Sequence, residues 1–186
     1  MKKKLTLVVS LLLVMALSIG GTLAYLTAQT DAVTNTFTIG NITISLAEKT
    51  TGDYKIVPGD TVEKDPSITV VKGSEKCYVY AFIDNALMLD NKVVATPNVA
   101  ETNWSVVKAE GGKTLYRYNT VVDASSADQP VAVFTQVTYS GTDITAENIG
   151  LLNNKTIIVD AFAHQSENTT QDVADAAAIG HFWPAA

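Results

Sequence analysis

Apolar and polar positions fall into two regimes along this chain. Residues 5–19 are almost all apolar, behind Lys2, Lys3 and Lys4 and ahead of the small-residue stretch Gly20-Gly21-Thr22-Leu23-Ala24. Beyond it, apolar residues alternate with polar ones in short runs, which is the period of half-buried strands. In the first such run Val33, Asn35, Phe37 and Ile39 share one side, and Thr34, Thr36 and Thr38 the other. At Gly40-Asn41 the phase slips by one, and Ile42, Ile44 and Leu46 become the apolar set. A one-residue slip moves every side chain to the opposite face, so a tight turn or bulge is expected there.

Turn residues punctuate the rest of the chain. Val57-Pro58-Gly59-Asp60 presets one dihedral with proline and accepts a positive one with glycine. Residues 67–72 read as a strand, Gly73-Ser74-Glu75 as a turn, and 76–84 as a long strand. That long strand carries Cys77, Val79, Ala81 and Ile83 on one face and Tyr78, Tyr80 and Phe82 on the other, so a central place in a sheet is expected. Residues 85–102 read as a loop with one helical turn. Residues 104–108 and 114–120 form a hairpin around Gly111-Gly112. After a loop at 123–129, Pro130 opens a strand with Val131, Val133, Thr135, Val137 and Tyr139 on one side. Residues 140–152 read as loop with a short helix from Thr145, and 155–164 as a core strand. Residues 169–178 read as a threonine-capped helix packing Val173, Ala177 and Ala178. About eight strands without regularly alternating helices predict an all-β fold, an antiparallel β-sandwich with a short C-terminal helix, as a single domain over residues 33–186.

The basic start, short apolar middle and small-residue exit are the three parts of a secretory signal peptide, expected over residues 1–24. An apolar stretch of about fifteen residues falls short of the roughly twenty that span a bilayer. Thr22 and Ala24 place small residues where a signal peptidase needs them, so cleavage is expected between Ala24 and Tyr25, with Ala28 as the second choice. Charge then becomes more negative. The net −6 of the full chain becomes −9 once the three lysines of the leader are gone, and no basic cluster offsets it. Nucleic acid is therefore not an expected partner, nor is a membrane after cleavage. Cys77 stands alone, cannot form an internal disulfide, and faces the same way as its apolar neighbours, which predicts a buried, quiet thiol rather than a reactive one.

Gly20-Gly21-Thr22-Leu23-Ala24-Tyr25-Leu26-Thr27, the run from Phe37 to Leu46, the turn Val57-Pro58-Gly59-Asp60-Thr61-Val62 and the strand from Cys77 to Ile83 together resemble the TasA/camelysin family of Gram-positive secreted proteins. The resemblance implies a jelly-roll-like sandwich and a leader removed by the dedicated peptidase SipW. It also implies a role in extracellular biofilm matrix fibres for some members and a metalloprotease label for one branch.

Chemistry is sparse. A zinc protease places two histidines one helical turn apart with a glutamate between them. Here His164 ends a strand and His181 follows the expected helix, so no metal site, cofactor or catalytic residue is expected and the chain does not read as an enzyme. Tyr78, Tyr80, Trp104, Tyr116 and Tyr118 lie on strands, where cross-strand packing explains them more simply than a sugar-binding platform. The function these features favour is that of a structural subunit, secreted to the extracellular matrix or cell surface. Its partners would be itself or related matrix subunits, and signal peptidase during export. A carbohydrate-binding surface module is the alternative, with a camelysin-like metalloprotease behind it. Cleavage would free residues 25–32 as a donor strand, with Leu26, Ala28, Thr30 and Ala32 as its less polar set. Such a strand could add to a neighbour's sheet edge and build a head-to-tail filament.

Overall fold

β4 (Cys77–Asn85) is the strand around which the fold is built. Cys77, Val79, Ala81 and Ile83 enter one cluster of buried residues, while Tyr80 and Phe82 on the opposite face enter a second. A strand with large apolar side chains on both faces must be covered twice, and here a second sheet layer covers one face and a helix the other. The computed structural model describes residues 41–49 and 54–184. The expected strand at residues 33–39 and the slip at Gly40 lie outside them.

One layer is a four-stranded antiparallel sheet. β4 is flanked by β12 (Ile157–Gln165) and β9 (Lys113–Tyr118), and β8 (Trp104–Glu110) pairs with the far side of β9. The expected hairpin is β8–β9. Gly111 and Gly112 turn it with φ of 59° and 81°, the left-handed pair that a two-residue hairpin demands. The other layer has two ladders that share a pair of long strand runs. β1 (Ile44–Glu48), β3 (Pro66–Val70) and β10 (Gln129–Ala132) form one, in that order. β2 (Thr61–Glu63), β11 (Gln136–Tyr139) and β7 (Ala95–Pro97) form the other, in that order. Val133 N donates to Pro66 O (2.9 Å) and Lys64 N to Thr135 O (3.1 Å), carrying the ladder across the joint. Between the layers Ile68, Val70, Val131, Val133, Val137 and Tyr139 meet the inner face of β4, and Trp104 Nε1 donates to Ala132 O at 3.0 Å across the sandwich. The all-β, antiparallel sandwich with a C-terminal helix is therefore the observed architecture.

Several local expectations are corrected. Residues 85–102 are not a loop with a helical turn. They hold a small hairpin, β5 (Met88–Leu89) and β6 (Lys92–Val93), and then β7. Asp90 and Asn91 turn that hairpin at φ 49° and 63°, tolerated because short polar side chains visit the left-handed region. The strand expected from Pro130 to Tyr139 breaks into β10 and β11, with Val133 and Phe134 both buried at the break. The short helix expected at Thr145 is instead a single turn, closed by Ile149 N donating to Thr145 O at 3.0 Å, followed by a 3-10 helix at Ile149–Leu152. β12 is not a core strand but an edge of its sheet among the described residues, and Ile158 is 56% exposed. Leu46, assigned to the apolar set of β1, is 38% exposed.

The helix α1 (Gln171–Phe182) is longer than expected and packs differently. Thr170 caps it, accepting from Val173 N at 3.4 Å, and Asp172 lies in its first turn, where a negative charge favours the helix dipole. Ala174 and Ala178 face the sheet, while Val173 is 57% exposed and Ala177 half-buried. Small side chains four apart let the helix approach β4 closely. Phe182 then stacks on Phe82 with ring centroids 4.4 Å apart, and Trp183 meets the same ring edge-on at 5.2 Å.

Candidate functional site

The residues singled out for export and assembly, namely Ala24, Tyr25, Leu26, Ala28, Thr30 and Ala32, lie outside the described residues. Two features of the described body bear on them. The first is where the chain enters. Asn41 O accepts from Glu75 N at 3.0 Å, and Thr43 N donates to Ser74 Oγ at 3.0 Å, so the N-terminal segment joins the sandwich beside the start of β4. Gln165 pairs with Cys77 at that same end, and Ser166 N donates to Lys76 O at 2.8 Å.

The second feature is a groove of about 710 Å³ at the other end of β4, where Ile157 pairs with Asn85 and Ala86 N donates to Thr156 O. Leu87, Val137, Tyr139, Leu152 and Ile157 line it, all of them residues packed in or against the core between the layers. Tyr54 and Ile56 add to its wall. Three lysines, Lys55, Lys64 and Lys155, stand around the groove, and no acidic side chain among the described residues lines it. Lys64 pairs with Glu48 at 2.8 Å and lies over the Tyr54 ring. Eight residue steps of β4 separate the two ends, about 26 Å at a strand's rise.

The aromatic residues considered for sugar binding do not form an exposed platform. Tyr80 and Trp104 are buried, Tyr116 and Tyr118 pack against the core, and Tyr78 packs against the helix-side cluster. Cys77 is fully buried, and burial pushes its thiol pKa up to about 11, so it stays protonated at neutral pH.

A polar cluster under α1 was not anticipated. Tyr80 Oη donates to Asp175 Oδ1 at 2.8 Å, and Asp175 is ion-paired with Arg117 on β9. The Gln171 amide oxygen, turned toward the guanidinium, accepts from Arg117 Nη2 at 2.9 Å. Burial first, then the hydrogen bond and charge of Asp175, hold Tyr80 in its neutral form well above the usual tyrosine range. On the hairpin side, the hydrogen bond from Lys92, then that from Ser140, keeps Asp143 ionised below the usual carboxylate range.

Residues 1–76 match the family model described as camelysin metallo-endopeptidase. Over that stretch, which is less than half of the chain, the sequence is similar to the TasA/camelysin family. The matched stretch ends at Lys76, so it takes in β1, β2, β3 and the Val57–Asp60 turn, where Gly59 has φ 80° and Asp60 N donates to Val57 O at 3.0 Å. No curated protein and no solved structure matches the chain. The camelysin description implies a metal, and the described residues do not fit one. His181 lies inside α1, in its last turn, rather than after it, and stacks on Phe162 at 5.1 Å. His164 flanks the same ring at 6.4 Å, its Nδ1 2.9 Å from Gln165 O. Among the described residues no three His, Cys, Asp or Glu side chains are grouped to hold an ion. Among them, too, no helix is long and apolar enough to cross a membrane.

Proposed function

We propose that this TasA/camelysin-like chain is an exported structural subunit rather than an enzyme, and that it assembles head to tail by strand addition. The leader is removed between Ala24 and Tyr25. The freed segment, with Leu26, Ala28, Thr30 and Ala32 as its less polar set, then adds to the neighbouring copy, and the product is an extracellular fibre.

The observation that carries this reading is the opposition of the two ends. The chain enters the sandwich beside Glu75, and the apolar groove lies about 26 Å away at the other end of β4. A segment that joins its own copy at the entry end is placed to reach the groove of the next copy in line. A contact between two different surfaces that does not close into a ring propagates as a filament. Strand addition at a sheet edge supplies backbone hydrogen bonds for affinity, and the groove supplies places for alternate side chains.

Deletion of residues 25–31 from the mature chain tests it. The variant should be a soluble, folded monomer that forms no fibres by electron microscopy. Fibres undiminished by the deletion would refute strand addition.

A further inference from the structure

Several exposed charges sit at the two ends without ion-pair partners among the described residues. Lys55 and Lys155 stand exposed at the groove, and none of the ion pairs among those residues uses either. At the entry end the signs reverse. Glu75 is exposed, and its backbone N–H donates to the carbonyl of Asn41, where the described chain begins. Glu167 is exposed too, one residue after Ser166 is tied to Lys76. Neither glutamate has an ion pair among the described residues. Lys76 is already taken by Asp123 at 3.4 Å, which leaves Lys72 against Glu75, Glu167 and Asp128.

A chain of net charge −9 after cleavage repels its own copies, so self-association needs a local contact of opposite sign. We propose that the two ends form a charge-matched self-recognition surface, in which Lys55 and Lys155 of one copy face Glu75 and Glu167 of the next. This inference rests on the head-to-tail reading above and adds to it what selects the partner and its orientation. Entry end against entry end opposes like charges, as does groove against groove, and only the head-to-tail arrangement satisfies both. Exposed charges of this kind act on encounter rate and orientation more than on final affinity, and salt screens them over about 10 Å at 0.1 M.

Reciprocal charge swaps in the full mature chain test the proposal. One variant carries Lys55→Glu and Lys155→Glu, and the other carries Glu75→Lys and Glu167→Lys. Each alone should form polymer at least tenfold more slowly than the unaltered chain, by light scattering and electron microscopy. An equimolar mixture should recover the normal rate, because every contact in an alternating copolymer is again opposite in sign. The substituted side chains are exposed, and unchanged thermal melts would establish that each variant is folded. A milder pair, Lys55→Gln with Lys155→Gln, should slow growth several-fold and flatten its dependence on salt. Normal polymerisation of either swap variant alone, or a mixture as slow as its components, overturns the proposal. If the swaps are without effect while deletion of residues 25–31 still abolishes fibres, charge matching fails and strand addition stands. If the deletion variant polymerises normally, strand addition fails. If the unaltered mature chain forms no polymer at all, both fail.

Discussion

Asp175→Ala strikes the point where helix, central strand and neighbouring strand meet, and its cost can be worked out from the contacts. Tyr80 is fully buried, and its hydroxyl would lose the Asp175 acceptor at 2.8 Å. An orphaned buried donor costs about 1–3 kcal/mol. Arg117 would lose its ion partner but keep Gln171, and the two charged side chains are 14% and 19% exposed, so partial solvation moderates that loss to about 1–2 kcal/mol. Alanine is the better helix former by up to about 0.5 kcal/mol. The net expectation is a loss of about 2–3 kcal/mol, or a fall in Tm of about 5–10 °C for a body of this size. Circular dichroism melts should show it, and Asp175→Asn, which keeps an acceptor for Tyr80, should lose about half as much. A double-mutant cycle with Tyr80→Phe should give a coupling of about 1 kcal/mol or more. If Asp175→Ala melts within about 1 °C of the unaltered protein, or the cycle is additive, the cluster does not hold the helix. The same tyrosine links stability to pH. Tyr80 is held neutral in the fold, whereas an unfolded tyrosine loses its proton near pH 10. The unfolded state therefore binds fewer protons above that pH, and stability falls as pH rises, by about 1.4 kcal/mol per pH unit for each such group. Tyr116, Tyr139 and Cys77 are shifted the same way, so Tyr80→Phe should remove one share of the alkaline slope and not all of it.

Three further outcomes are expected. Gly112→Ala puts a methyl 2.8 Å from Asn85 O and 2.5 Å from the Met88 sulfur at φ 81°, so it should cost about 2–3 kcal/mol, and Gly111→Ala, with nothing near, only about 1 kcal/mol, by chemical denaturation. Cys77 should resist alkylation by iodoacetamide at about pH 8 in the folded protein and react in denaturant. N-terminal sequencing of secreted material should begin at Tyr25, and intact Met1 on the cell membrane would contradict export.

Period-two patterning made the central strand readable, because Cys77 to Asp84 alternates cleanly and large residues occupy both faces. The hairpin at Gly111-Gly112 and the turn at Pro58-Gly59 were equally legible, since few residues accept positive φ without strain. What stayed hidden depended on distant partners. Nothing in Asp90-Asn91 competes with a loop until Met88 and Val93 are found opposite each other. Val131 to Tyr139 keeps one alternation through a break between two ladders, so period alone hides the joint. For α1, the apolar Val173 drew the expected packing face one residue away from Ala174, because the helix meets the sheet through small side chains and is anchored from Ile179 to Trp183. The groove could not be read at all. Lys55 and Lys155 look like ordinary loop charges, and only the fold sets them beside Val137 and Tyr139.

The pairing of β1 with β3 has a mechanical meaning if copies are joined in series. Its five register pairs run from Ile44 opposite Val70 to Glu48 opposite Pro66, and the N-terminal segment leaves at the Ile44 end. Tension applied at that end along the axis of β1 meets hydrogen bonds to β3 that lie across the pull. The bonds are then loaded together in shear instead of being opened one after another, as they would be under a pull that peels the strand away. A filament built on this joint would resist stretching far better than it would resist a sideways force lifting β1 off its sheet.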